Sequence, residues 1–141
     1  MKRFLRLVSL LLVFATLAAV PSYAQEVTPR GSNELSSYRA YCTKTSSTTV
    51  VVSYQVLGAD ILDELGVNTV KVQYSSDGVN WTTAKTFQKA TYTSMVNYGV
   101  SGHAGTLTAT VPSGKQYRAM VEFYGEKNGS FTERTYYTEI I

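Results

Sequence analysis

The chain has 141 residues, with 13 Lys and Arg against 10 Asp and Glu, a single Cys, a single His and 11 Tyr. A lone cysteine excludes an internal disulfide framework, and a lone histidine excludes the His-rich clusters that hold catalytic metals. Lys2, Arg3 and Arg6 carry the whole basic excess. Without them the chain balances 10 positive against 10 negative side chains, and no basic cluster remains to neutralise phosphates, so no nucleic-acid partner is expected.

Those three cations open a leader. Leu7 to Val20 is an apolar run, and Ser22-Tyr23-Ala24 places small residues at the two positions that determine cleavage. The pattern predicts a secretory signal peptide over residues 1–24, cleaved after Ala24, and therefore a secreted, extracellular product. The apolar run is too short to span a bilayer and no later stretch approaches that length, so no stable membrane insertion is expected after cleavage. Removing 24 of the 141 residues leaves 117, one domain able to build a single core.

Residues 25–34, with Pro29, Gly31 and Ser32, read as a flexible lead-in. The domain is expected over 35–141. From Leu35 onward Tyr38, Ala40 and Cys42 share one parity, and a turn falls at Ser46-Ser47. Val50, Val52, Tyr54 and Val56 alternate in the strongest strand, Thr48 to Leu57. Gly58 to Val67 is the one helix-like piece: Asp60 is placed to cap a turn that buries Ile61, Leu62 or Leu65, and Gly66 to end it. Val70, Val72 and Tyr74 resume the alternation. Ser75-Ser76-Asp77-Gly78 is a hairpin turn, and Val79 to Phe87 is its return strand, carrying Trp81.

Thr91 to Tyr98 is expected as a strand and Gly99 to Gly105 as a glycine-rich loop. Leu107, Ala109 and Val111 then alternate with threonines. Pro112, Ser113 and Gly114 turn the chain into a longer strand in which Tyr117, Ala119, Val121 and Phe123 face inward. Strand, Pro-Gly corner and entering tyrosine form a tyrosine corner, whose phenol ties back to upstream backbone. Glu126-Lys127-Asn128-Gly129-Ser130 makes a second hairpin before the last strand, Phe131 to Ile140. The reading is all-β: a two-sheet antiparallel sandwich of seven or eight strands.

These residues resemble the immunoglobulin/fibronectin type III-like sandwiches. The likeness rests on Val50-x-Val52-x-Tyr54, on Val70-x-Val72-x-Tyr74 with Asp77-Gly78 and Trp81, and on Val111-Pro112-x-Gly114-x-x-Tyr117-x-x-x-Val121. The chain is also similar to small exported single-domain proteins of Gram-positive bacteria. The resemblance implies a scaffold for adhesion, spacing or ligand binding, with no cofactor and no catalytic motif.

Few residues suggest chemistry. His103, between Gly102 and Ala104, has no partner at metal-ligand or catalytic spacing and reads as a solvated loop residue. Cys42 lies on the buried parity, where it serves as a small apolar side chain; an intermolecular disulfide is the other use of a lone exported thiol. Asp60, Asp63 and Glu64 lack the ligand pattern of a calcium loop and read as a solvated face. Asn80-Trp81-Thr82 and Asn128-Gly129-Ser130 match the glycosylation pattern but fall where turn chemistry explains them.

The tyrosines remain, ten of them after the leader. With Tyr117 to Phe123 inward, Arg118, Met120, Glu122 and Tyr124 point outward, Lys71 and Gln73 join them on the neighbouring strand, and one of Tyr136 and Tyr137 does too. A face of aromatic, Arg and Met side chains suits protein or glycan contact. The expectation is therefore a non-enzymatic binding or adhesion-type module, its candidate ligand face Lys71, Gln73, Arg118, Met120, Glu122 and Tyr124. Its partner would be a protein or polysaccharide of an envelope or matrix. The other reading is a structural protein that assembles with itself through exposed strand edges.

Overall fold

The computed structural model describes residues 33–141; the expected signal peptide, and all but the last two residues of the expected lead-in, lie outside them. Within them the chain forms six antiparallel strands: β1 (Leu35–Ser46), β2 (Thr49–Ser75), β3 (Thr82–Gln88), β4 (Val96–Thr110), β5 (Gln116–Lys127) and β6 (Ser130–Tyr137). They hydrogen-bond into one curled sheet in the order β1-β2-β5-β6, with β3 and β4 also paired to β2. The curl encloses a single core. Just ahead of β1, Glu34 is buried, its carbonyl accepts from the Ala59 N–H at 2.8 Å and its N–H donates to Thr132 Oγ1 at 3.2 Å.

β2 organises the sheet. Its first half lies between β1 (Cys42 opposite Val52, Ala40 opposite Tyr54) and β4 (Leu107 opposite Val52, Gly105 opposite Tyr54). Its second half lies between β5 and the β3–β4 side. The alternation of Val50, Val52, Tyr54 and Val56 puts all four in the core, as their parity predicts.

The expected helical turn over Gly58–Val67 is not there; the segment is the middle of β2. Between the pairs Leu57–Gly102 and Leu62–Val100, β2 advances five residues while β4 advances two. This irregularity turns the strand a corner. Its surplus residues, exposed Asp60 and Ile61 among them, bulge outward. Beyond it Leu62, Leu65 and Val67 are fully buried. Past the bulge Glu64, Leu65 and Gly66 pair with both β4 and β5, ladder partners that an isolated helical turn could not supply. Gly66 does not end a helix but permits a close crossing: a Cβ there would sit 2.2 Å from the Met95 carbonyl oxygen.

Two further expectations change in the same way. Of the strand expected over Thr91 to Tyr98, the first part is a turn and a single 3-10 turn (Thr93–Met95), and only Val96 to Tyr98 is strand, as the start of β4. Gly99 to Gly105 is strand rather than loop. Gly105 faces Tyr54 across the ladder, and a Cβ on it would meet the Tyr54 hydroxyl at 2.3 Å. The glycine makes room for a cross-strand ring.

The turns behave as read. The Asp77 carboxylate accepts from the N–H groups of Val79 and Asn80 at 2.9 and 2.8 Å, from the Asn80 amide at 2.8 Å and from the Ser75 hydroxyl at 2.9 Å. These bonds hold its pKa far below the usual carboxylate range. Asn128 and Gly129 both take positive φ, 53° and 78°, the two-residue turn that matches strand twist. Tyr117 is buried and its hydroxyl donates to the Pro112 carbonyl at 2.5 Å, completing the tyrosine corner. Tyr38 of β1 closes the curl, its ring 5.2 Å from Phe123 of β5 and 6.3 Å from Tyr136 of β6.

Candidate functional site

The outer surface of β3, the second half of β2, β5 and β6 gathers most of the chain's unusual side chains. Register sets which ones meet. Gln73 lies opposite Arg118, Lys71 opposite Met120 and Thr69 opposite Glu122, while Met120 lies opposite Tyr137 and Glu122 opposite Thr135. The six residues read from sequence as a ligand face therefore do share one face. All but Tyr124 are half-exposed.

Arg118 is the best-held of them. Its Nε donates to Gln73 Oε1 at 2.9 Å. Its guanidinium carbon lies 4.3 Å from the Trp81 ring centre and 4.7 Å from that of Tyr137. The two rings come from opposite flanks of β5, Trp81 from the approach to β3 and Tyr137 from β6. Among the described residues neither Arg118 nor Lys71 has a carboxylate within ion-pair distance, and the terminal nitrogens of Arg118 donate to nothing. A guanidinium so gripped is restrained before any partner arrives. Trp81 and Tyr137 were missed as members of this set. Parity put one of Tyr136 and Tyr137 outward, but no local signal ties either ring to an arginine two strands from Trp81.

Tyr124 departs from expectation. It points to the outer face yet is only 9% exposed. Lys89 lies 4.1 Å above its ring, Phe131 stacks beside it at 6.0 Å, and its hydroxyl donates to Glu126 Oε2. Lys89 is fixed by Glu64 at 2.6 Å. Burial, the Glu126 bond and the nearby charges of Glu64 and Glu133 push the phenol pKa well up, so it stays protonated. Tyr124 is covered structure rather than open ligand surface.

The face is thus polarised. Arg118 and Lys71 lie towards the Trp81 end, with Glu122 one row on and Glu64, Glu126 and Glu133 around Tyr124 at the other end.

The remaining candidates have structural employment. His103 lies within β4, half-buried, its Nε2 3.1 Å from the Ser94 carbonyl. Cys42 is buried, accepts from Thr138 Oγ1 at 3.4 Å, and burial pushes its thiol pKa up despite that bond. Asp60 pairs with Lys127, Asp63 accepts from the Asn128 N–H at 2.7 Å, and Glu64 holds Lys89. Those three acids brace the strand corner against neighbouring turns. Among the described residues no cluster of three or more His, Cys, Asp or Glu side chains is arranged to hold a metal ion, and no helix is long and apolar enough to cross a membrane.

No protein-family profile matches the chain, and no curated protein matches it. Among solved structures it is similar to a protein from Archaeoglobus fulgidus, at 9% identity and a TM-score of 0.39, the match covering 76% of this chain and 94% of that one.

Proposed function

We propose that the chain is a secreted, non-enzymatic binding module built as a fibronectin type III-like sandwich, with the outer face around Arg118 as its ligand surface. The length of β2 supports the sandwich reading: its first half pairs with β1 and β4 and its second half with β3, β4 and β5, as expected of a strand that passes from one layer to the other. The tyrosine corner supports it as well. The ligand reading rests on one observation. Arg118 is restrained by Gln73, Trp81 and Tyr137 while its terminal nitrogens are left uncommitted among the described residues. Spending three side chains to hold an uncommitted cation fits recognition, because a restrained donor loses little entropy on binding.

Co-sedimentation of the protein with insoluble envelope and matrix polysaccharide from its source tests this. Wild type should be retained, and Arg118→Ala or Tyr137→Ala should release it with an unchanged melting curve. Equal retention of all three proteins would sink the assignment of the face. The self-assembling structural reading draws on β1 and β6, which end the sheet path and, among the described residues, pair on one side only. It requires the light-scattering mass to rise with concentration; a mass that stays at one chain removes it.

A further inference from the structure

We infer that the uncommitted edge of Arg118 is a carboxylate site, and that its ligand is an acidic glycan carrying isolated uronic carboxylates among neutral sugars. The inference rests on the binding-module reading and names its ligand class.

The donor geometry comes first. With Nε committed to Gln73 and rings near the guanidinium on both flanks, the two terminal nitrogens are the remaining donors. A planar fork of that kind matches the two oxygens of a carboxylate. Lys71, opposite Met120 and one row from Gln73, adds a second cation with no acid in ion-pair reach among the described residues.

The rest of the face decides which anion. Glu122, Glu133 and Glu126 lie along the same face, so a polymer with a charge on every unit would be drawn to one end and repelled by the other. That disfavours sulfated glycans, polyphosphates and nucleic acid. A polymer with one carboxylate per few units can seat the charge at Arg118 and lay neutral sugar over the remainder. The surroundings suit sugar: exposed Thr86 and Thr135 offer hydroxyls in rows beside Lys71 and Glu122, and Tyr137 leaves half of its surface, 51%, open beside the fork.

A hyaluronan hexasaccharide, which alternates a uronic acid with a neutral sugar, is the direct probe. Titration calorimetry on the full chain would compare it with the same hexasaccharide after carboxyl reduction to the alcohol, and with a poly-glutamate peptide of equal charge. The acidic hexasaccharide should bind, and carboxyl reduction should weaken it roughly tenfold or more, the worth of a charged hydrogen-bonded pair. Arg118→Lys keeps the charge and loses the fork, so it should weaken binding about as much as Arg118→Gln. Lys71→Gln should cost less. Melting curves of each variant check that the fold persists. Failure of the acidic hexasaccharide to bind, equal binding of the reduced form, full retention by Arg118→Lys, or equally tight binding of poly-glutamate would each overturn the inference. If insoluble matrix still retains wild type in those cases, the binding-module reading stands without it; loss of that retention defeats both.

Discussion

Replacing Tyr117 by Phe removes one oxygen atom from the corner that joins β4 to β5. The ring, buried to 1% exposure, keeps its place, so no cavity of consequence forms. Two hydrogen bonds go. The strong one runs from the hydroxyl to the Pro112 carbonyl at 2.5 Å; the weak one comes from the Lys115 N–H at 3.4 Å. Pro112 is exposed, so water takes over its carbonyl and recovers part of the loss. The net cost should be about 1 kcal/mol, within the range for a single bond exchanged for solvent. For a domain of this size that lowers the melting temperature by about 4 °C or more. Urea unfolding followed by the fluorescence of Trp81, the only tryptophan, should show a lower midpoint at unchanged slope. Tyr117→Ala supplies the scale, since losing the buried ring should cost about 3–5 kcal/mol. A Phe variant indistinguishable from wild type would mean that the hydroxyl ties nothing down, and that the ring alone accounts for the residue.

Other perturbations follow from contacts already described. Gly66→Ala should destabilise by about 2–3 kcal/mol through overpacking, because the new Cβ would overlap the Met95 carbonyl; a thermal melt within a degree of wild type would refute the close crossing. Cys42 should resist thiol reagents at mildly alkaline pH until the chain unfolds, since burial and a raised pKa both suppress the thiolate; rapid labelling of the native protein would contradict that burial. Asp77 has a depressed folded pKa, so its contribution is complete above the ordinary carboxylate range and fades as pH falls from about 4 towards the folded value. Asp77→Asn should therefore be less stable than wild type at neutral pH, and the gap should narrow on acidification; a gap constant with pH would argue against the carboxylate's role in the turn.

How far the sequence carries can be judged element by element. Val50 to Val56 and Leu107 to Val111 could be read because each has one buried face, and burial on one face writes itself as alternation. Gly58 to Val67 could not. At the strand corner the surplus residues break the period of two, and Ile61, Leu62 and Leu65 fall at spacings a helix would also use. Glycine misled once more at Gly99 to Gly105, where its purpose at Gly105 is to admit Tyr54 from the next strand. Of the site, Lys71, Gln73 and Arg118 came from parity alone. Trp81 and Tyr137 reach Arg118 only through cross-strand register, and the cover over Tyr124 depends on where the chain places Lys89 after β3. Neither is a local property of the residues involved.

β2 runs for 27 residues without a loop, and that continuity bears on the order in which the structure can be completed. A chain folding from its N-terminus can pair β1 with the first half of β2 early, as a hairpin closed at Ser46 and Thr49, and β3 can follow. The opposite edges of β2 stay unsatisfied until Val96–Thr110 and Gln116–Lys127 are in hand. During that interval a row of Val side chains and open backbone amides lies ready for any other strand that passes. The risk of misassembly is therefore concentrated in one strand, and the last third of the chain is what relieves it.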